Sequence, residues 1–174
     1  TTLSSYVSPK VRALMAVTTT IGQNPSAHTI VNRWSTIPLP THKDWVEATA
    51  ADPNLSLVME AIVNHESLQR HELSDKGYFA PFEKQLFEVE EGILYYAIEP
   101  VAMNIRQLRR RVVPKIYQHV VIIAYHSAPL AGHVGLYKTY FRIATRYWWP
   151  GMYTDIREAV TKCAHCALTN ATSH

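Results

Sequence analysis

"HSAPLAGHVGLYKTYFRIATRYWWPGMYTDIREAVTKCAHC", residues 126–166, holds both cysteines of the chain and three of its nine histidines. Its ligand-bearing residues follow the pattern His-x6-His-x29-Cys-x2-Cys, from His126 and His133 to Cys163 and Cys166. Two imidazoles and two thiolates form a donor set that a tetrahedral zinc ion accepts. On an unbroken helix, seven residues rise about 10 Å, too far for two ligands of one ion. Pro129 and Gly132 bend the chain between the histidines and remove that obstacle. A bare C-x-x-C pair also suits thioredoxin-like redox chemistry, which wants a strand before it and a helix N-terminus to lower the thiol pKa. Here the pair follows a helical pattern instead. His119 is a rival first ligand, and His165, inside the cysteine pair, is expected to point outward. His28, His42, His65, His71 and His174 stand in segments without metal spacing.

Around these ligands the pattern is helical in three short pieces. Pro114 opens the first, with Ile116, Val120 and Ile123 on one face, although its β-branched core also suits a strand. In the second, Leu136, Tyr140, Ile143 and Tyr147 share a side, and Lys138, Arg142 and Arg146 fall roughly opposite. "WWPG" breaks it. Met152, Ile156, Val160 and Cys163 mark the third, with Thr154 or Asp155 near its start.

Upstream, Thr41 is a candidate cap. Asp52 followed by Pro53 is a helix start, and Leu55, Val58, Met59 and Ile62 form one apolar stripe. "QLFEVEEGILYYAI", residues 85–98, reads as a hairpin turning near Glu91-Gly92. "RRRVVP", residues 109–114, reads as a third strand. Residues 1–40 mix Thr, Ser and Pro with scattered apolar residues, and read as a weakly ordered extension or linker. The expected organisation is therefore an extension over 1–40, linker helices over 41–85, a hairpin and third strand over 86–113, and a metal-binding domain over 114–170.

Composition bounds the function. Of 174 residues, 47% are apolar, enough for a core, and two cysteines cannot build a disulfide framework. The longest apolar run, "HVVIIAYH", is far short of the roughly 20 residues of a membrane helix. With neither an initiator Met nor an apolar signal core, the chain is expected to be a piece of something larger from a reducing intracellular setting. The net charge of +3 divides unevenly, −5 over residues 1–104 and +8 over 105–174. A basic C-terminal part suggests an anionic partner such as nucleic acid, or else a solvated basic surface. That part holds two acidic residues, Asp155 and Glu158, both in one helical segment. They cannot supply the carboxylate set of two-metal phosphoryl transfer, so no catalytic residue is assigned and this piece is not expected to cut or join DNA.

Residues 126–166 resemble the His-His-Cys-Cys zinc-binding domain at the N-terminus of integrases from gypsy-type long-terminal-repeat retrotransposons. The resemblance rests on His126, Gly132-His133, Gly135, Lys138-Thr139, Trp149-Pro150-Gly151-Met152 and Cys163/Cys166, in order. "RRVVPK", "GILYY" and "DPNLSLVMEAI" resemble the strand, hairpin and linker helix upstream in that family, so the resemblance reaches back to about residue 41. The chain departs after Cys166, running "ALTNATSH" where many relatives carry Gln and a basic residue.

The reading is an α+β chain in which a small zinc-stabilised three-helix bundle follows a short three-stranded sheet and linker helices. One structural Zn2+ is expected on His126, His133, Cys163 and Cys166, with Trp148, Trp149, Tyr147 and Tyr140 as core around it. Lys138, Arg142 and Arg146 are candidate phosphate contacts, with Arg110 and Arg111 adding to the same field beside Arg109. The resemblance implies contact with the element's DNA ends, help in multimer assembly with other integrase chains, and location in a virus-like particle and the nucleus. The rival reading is a domesticated or decayed copy that keeps the zinc fold for protein interaction.

Overall fold

The computed structural model describes residues 39–98, 108–128 and 131–171. The extension expected over 1–40 lies outside them except for its last two residues. Thr41 caps helix α1 (His42–Ala51) in a capping box: its Oγ1 accepts the Asp44 N–H, and the Asp44 carboxylate accepts the Thr41 N–H. Asp52 ends α1 and starts α2 (Pro53–Asn64), with Oδ1 accepting the N–H groups of Asn54 and Leu55. The expected stripe faces inward, Leu55 and Val58 fully buried and Met59 and Ile62 half-buried. A 3-10 turn (Lys76–Tyr78) leads into the short α3 (Phe79–Glu83).

Strands β1 (Phe87–Glu90) and β2 (Ile93–Ile98) form the expected hairpin. Glu91 and Gly92 both take positive φ, 49° and 73°, as a two-residue turn that matches strand twist requires. β3 (Leu108–Val112) adds antiparallel to β2. The helical part contains α4 (Lys115–His126), α5 (Leu136–Ala144), α6 (Met152–Thr161) and α7 (Ala164–Ala171).

Three sequence expectations need correction. The second helix stops at Ala144 rather than carrying Tyr147, because Tyr147–Trp148 form a fourth strand, β4, parallel to β3. The N–H groups of Arg111 and Val113 donate to the carbonyls of Arg146 and Trp148 at 2.8 and 2.9 Å. These bonds satisfy an otherwise open strand edge. The third helix ends at Thr161, and a fourth, α7, begins inside the cysteine pair. On α4 the buried residues are Tyr117, Gln118, Val120, Val121, Ile122 and His126, whereas Ile116 and Ile123 are only half-buried. α4 packs on α5 and α6, and its core face includes Val120 of the sequence stripe together with Tyr117 and Val121.

The sheet order is β1-β2-β3-β4, and both of its faces are covered. Alternation along the strands sends Leu94, Phe87 and Val112 to one side, against Leu55 and Val58 of α2 together with Leu73 and Tyr78. Ile93 and Val113 face the other side, against Trp45 of α1, Val121 of α4, Ile143 of α5 and Met152 and Ile156 of α6. The fold is thus α+β, and the helices that carry the candidate ligands share one core with the sheet.

Candidate metal centre

His126 ends α4 and His133 precedes α5. The chain turns back between them: Gly132 and His133 take φ of 69° and 48°, and the His133 N–H donates to the His126 carbonyl at 3.0 Å. This reversal brings two imidazoles seven positions apart to one place. Cys163 follows α6, and Cys166 lies in the first turn of α7. Trp149 orients α6, since its Nε1–H donates to the Asp155 carboxylate at 2.8 Å and its ring is buried.

One ligand atom from each of His126, His133, Cys163 and Cys166 lies within 4.8 Å of all the others. The His126 Nε2 is 3.4 Å from the Cys166 Sγ, and the His133 Nδ1 is 3.4 Å from the Cys163 Sγ and 3.9 Å from the Cys166 Sγ. A tetrahedral zinc, with its usual nitrogen and sulfur bond lengths, sets N and S about 3.5 Å apart. The four side chains therefore fit one ion. They are positioned to bind it without a further donor. The two cysteines are not joined as a disulfide.

The surrounding groups fix the imidazole that faces the ion. His126 is buried, and its Nδ1 sits 3.1 Å from the Val134 carbonyl. That carbonyl can only accept, so Nδ1 carries the proton and Nε2 is left as the donor atom. The fully buried Thr139 donates its hydroxyl to the same carbonyl at 3.0 Å, and its Oγ1 lies 3.3 Å from Nδ1. Thr139 is a supporting residue that reasoning from ligand spacing missed, although the sequence signalled it as half of the Lys138-Thr139 pair. Burial lowers the pKa of both His126 and His133, which keeps them neutral, as metal ligation needs. Burial, followed by the neighbouring Cys163, pushes the Cys166 thiol up to about 11. Taking up a metal must therefore release its proton.

The remaining candidates separate. His119 is exposed and lies outside the cluster. His165 is exposed but stacks on His133, with ring centroids 4.1 Å apart. Trp149 belongs to the core shared with the sheet, and Tyr140 and Tyr147 pack against it. Trp148 joins the core on the opposite sheet face. Lys138, Arg142 and Arg146 are all exposed. Arg142 donates to the Ala131 carbonyl and Arg146 to the Tyr125 hydroxyl, both at 3.1 Å. The arginines of β3 differ from one another. Arg109 pairs with Glu88 and Glu90, each at 2.9 Å. Arg111 stands over the Trp45 ring at 5.0 Å. Arg110 points to the other sheet face.

Residues 113–172 match the family of integrase zinc binding domains. The Pro-Pol polyprotein of simian foamy virus type 3 (strain LK3) is 29% identical over 63 residues. That match covers 36% of this chain and 5% of the polyprotein, so the chain corresponds to a small part of its relative. No solved structure matches the chain.

Proposed function

We propose that the chain is the zinc-binding module of a retroelement integrase, of the gypsy type its motifs resemble, which binds DNA ends and helps integrase chains assemble. The observation that carries this reading is the convergence of His126, His133, Cys163 and Cys166 inside the segment that matches integrase zinc binding domains. In this reading Zn2+ is structural. Four protein donors complete a tetrahedral shell and leave no position for an activated water.

The ion's work is cohesion. Its ligands come from the end of α4, the turn before α5, the end of α6 and the first turn of α7. Helices of about a dozen residues are marginal alone. A structural zinc contributes of order 10 kcal/mol, which appears as folding energy. The helix so held presents Lys138 and Arg142, with Arg146 just beyond it, to solvent, where they can meet phosphates. The two acidic residues of the basic half have structural partners, Asp155 with Trp149 and Glu158 with Lys162. The module then contributes binding, not bond-breaking, to a longer polyprotein. No helix among the described residues is long and apolar enough to cross a membrane.

The second reading, protein docking, is favoured by Tyr137 and Phe141, which are 67% and 64% exposed beside the same cations. Salt dependence separates the two. For DNA binding, log affinity falls linearly with log salt, by roughly 0.9 per phosphate neutralised on a duplex. Replacing Lys138, Arg142 and Arg146 with Gln makes that slope shallower and weakens all sequences alike, without loss of zinc. A triple variant that binds duplex DNA like the parent at every salt concentration moves the function to protein docking.

A further inference from the structure

A groove of about 270 Å³ opens where the sheet meets α5 and α6. Tyr96, Arg110, Tyr140, Trp148, Met152 and Tyr153 line it. Two of its rings, Tyr96 and Trp148, stack with centroids 4.5 Å apart and planes 9° apart. Tyr140 and Tyr153 meet edge to face at 5.4 Å. Into this aromatic setting comes one cation. The Arg110 Nε is buried and has no hydrogen-bond partner among the described residues. Its neighbours on β3 are already engaged, Arg109 by two glutamates and Arg111 by aromatic rings. A buried N–H without an acceptor is costly, and a ligand oxygen in the groove would satisfy it.

Aromatic faces next to a guanidinium suit a planar ring that carries an anion, which is the chemistry of a nucleotide. The surface beyond the groove continues the pattern. Tyr153, Phe141 and Tyr137 are exposed, and Lys138, Arg142 and Arg157 are exposed among them. Stacking rings interleaved with cations form the platform on which single strands bind. A base inside a duplex cannot enter a groove of this kind, whereas an unpaired one can. A second copy of the chain is a poorer occupant, because residues 105–174 carry +8 and two such surfaces repel.

We propose that the groove between β3, β4 and helices α5 and α6 receives an unpaired nucleotide of a DNA strand, its base among the aromatic rings and its phosphate on Arg110. The proposal rests on the reading that the basic half of the chain meets DNA, and adds the form of DNA preferred.

The test uses the full zinc-loaded chain and two labelled probes, a blunt duplex and the same duplex with a short single-stranded thymidine overhang. Affinity is followed by fluorescence anisotropy. The overhang should bind about tenfold more tightly, in line with one or two stacked bases. It should also quench tryptophan fluorescence through Trp148. Arg110→Gln and Tyr153→Ala should each erase that preference without loss of zinc, and Tyr153→Ala, which removes no charge, should also leave blunt-duplex affinity unchanged. Tyr153 is exposed, so its variant reads the groove even if Arg110→Gln fails to fold. Equal binding of both probes, or a preference that survives Tyr153→Ala, overturns the groove and leaves the DNA-binding reading standing. Binding of neither probe overturns both. Self-association that disappears with Tyr153→Ala, without an overhang preference, makes this surface a contact between copies and overturns the proposal.

Discussion

Asp52 and Lys115 meet across 63 residues of sequence: the Asp52 Oδ2 accepts the Lys115 backbone N–H at 3.0 Å. The other carboxylate oxygen caps α2 through Asn54 and Leu55. One buried side chain thus starts two helices. α4 needs this help because its own cap residue, Pro114, has no side-chain acceptor. Asp52 therefore joins the upstream helices to the helix that ends in His126. Asp52→Ala should cost about 2 kcal/mol or more, since a cap is typically worth about 1 kcal/mol. Asp52→Asn, which retains one oxygen acceptor, should cost less. Urea unfolding of the two variants measures both, and equal stability of Asp52→Ala and the parent would remove the double-cap account.

The metal centre predicts one zinc per chain by native mass spectrometry. Cys163→Ser or His133→Ala should release it, and a chelator should lower the melting temperature and the helical circular dichroism signal. His119→Ala should retain the metal, because that side chain is exposed outside the cluster. Zinc loss in His119→Ala would show that the first histidine ligand is not His126.

Thr139 is expected to act on the metal without touching it. Its hydroxyl and the His126 Nδ1 share the Val134 carbonyl. Thr139→Val retains the volume and removes the hydroxyl. Loss of such supporting groups typically weakens metal affinity about 10- to 100-fold. Competition with a zinc chelator of known strength reads that change, and an unaltered affinity would reduce Thr139 to a packing residue.

Gly77 bears on a different contact. A Cβ built there would lie 2.4 Å from the Pro150 Cβ, inside the 3-10 turn that packs on the junction of β4 and α6. A proline ring cannot swing away as a flexible side chain could. Gly77→Ala should cost about 1–3 kcal/mol, the usual range for overpacking. Thermal melts of the zinc-loaded protein check it, and an unchanged melting temperature would mean that the turn relaxes freely.

Local signals in the sequence determined a good part of this protein. Asp52-Pro53 fixed a helix start because a short acceptor followed by a residue without an N–H suits only that position. Glu91-Gly92 fixed the hairpin because its turn needs positive φ. The two histidines and two cysteines were legible as one donor set because metal ligands are few in kind and Pro129 and Gly132 marked the necessary bend.

Tertiary structure decided the rest. Tyr147 sits at helical spacing, and nothing local reveals that the open edge of β3 draws Tyr147 and Trp148 into a strand through the carbonyls of Arg146 and Trp148. A two-residue strand has no period of its own. Thr139 and Val134 became supports of the site only when the turn after His126 folded back upon them. The three consecutive arginines of β3 look alike in sequence, yet strand alternation gave two to carboxylates and aromatic rings and sent Arg110 into a groove between layers. Partners that lie tens of residues apart, such as Asp52 and Lys115, are chosen by the packing of whole elements, and no short window of sequence contains both.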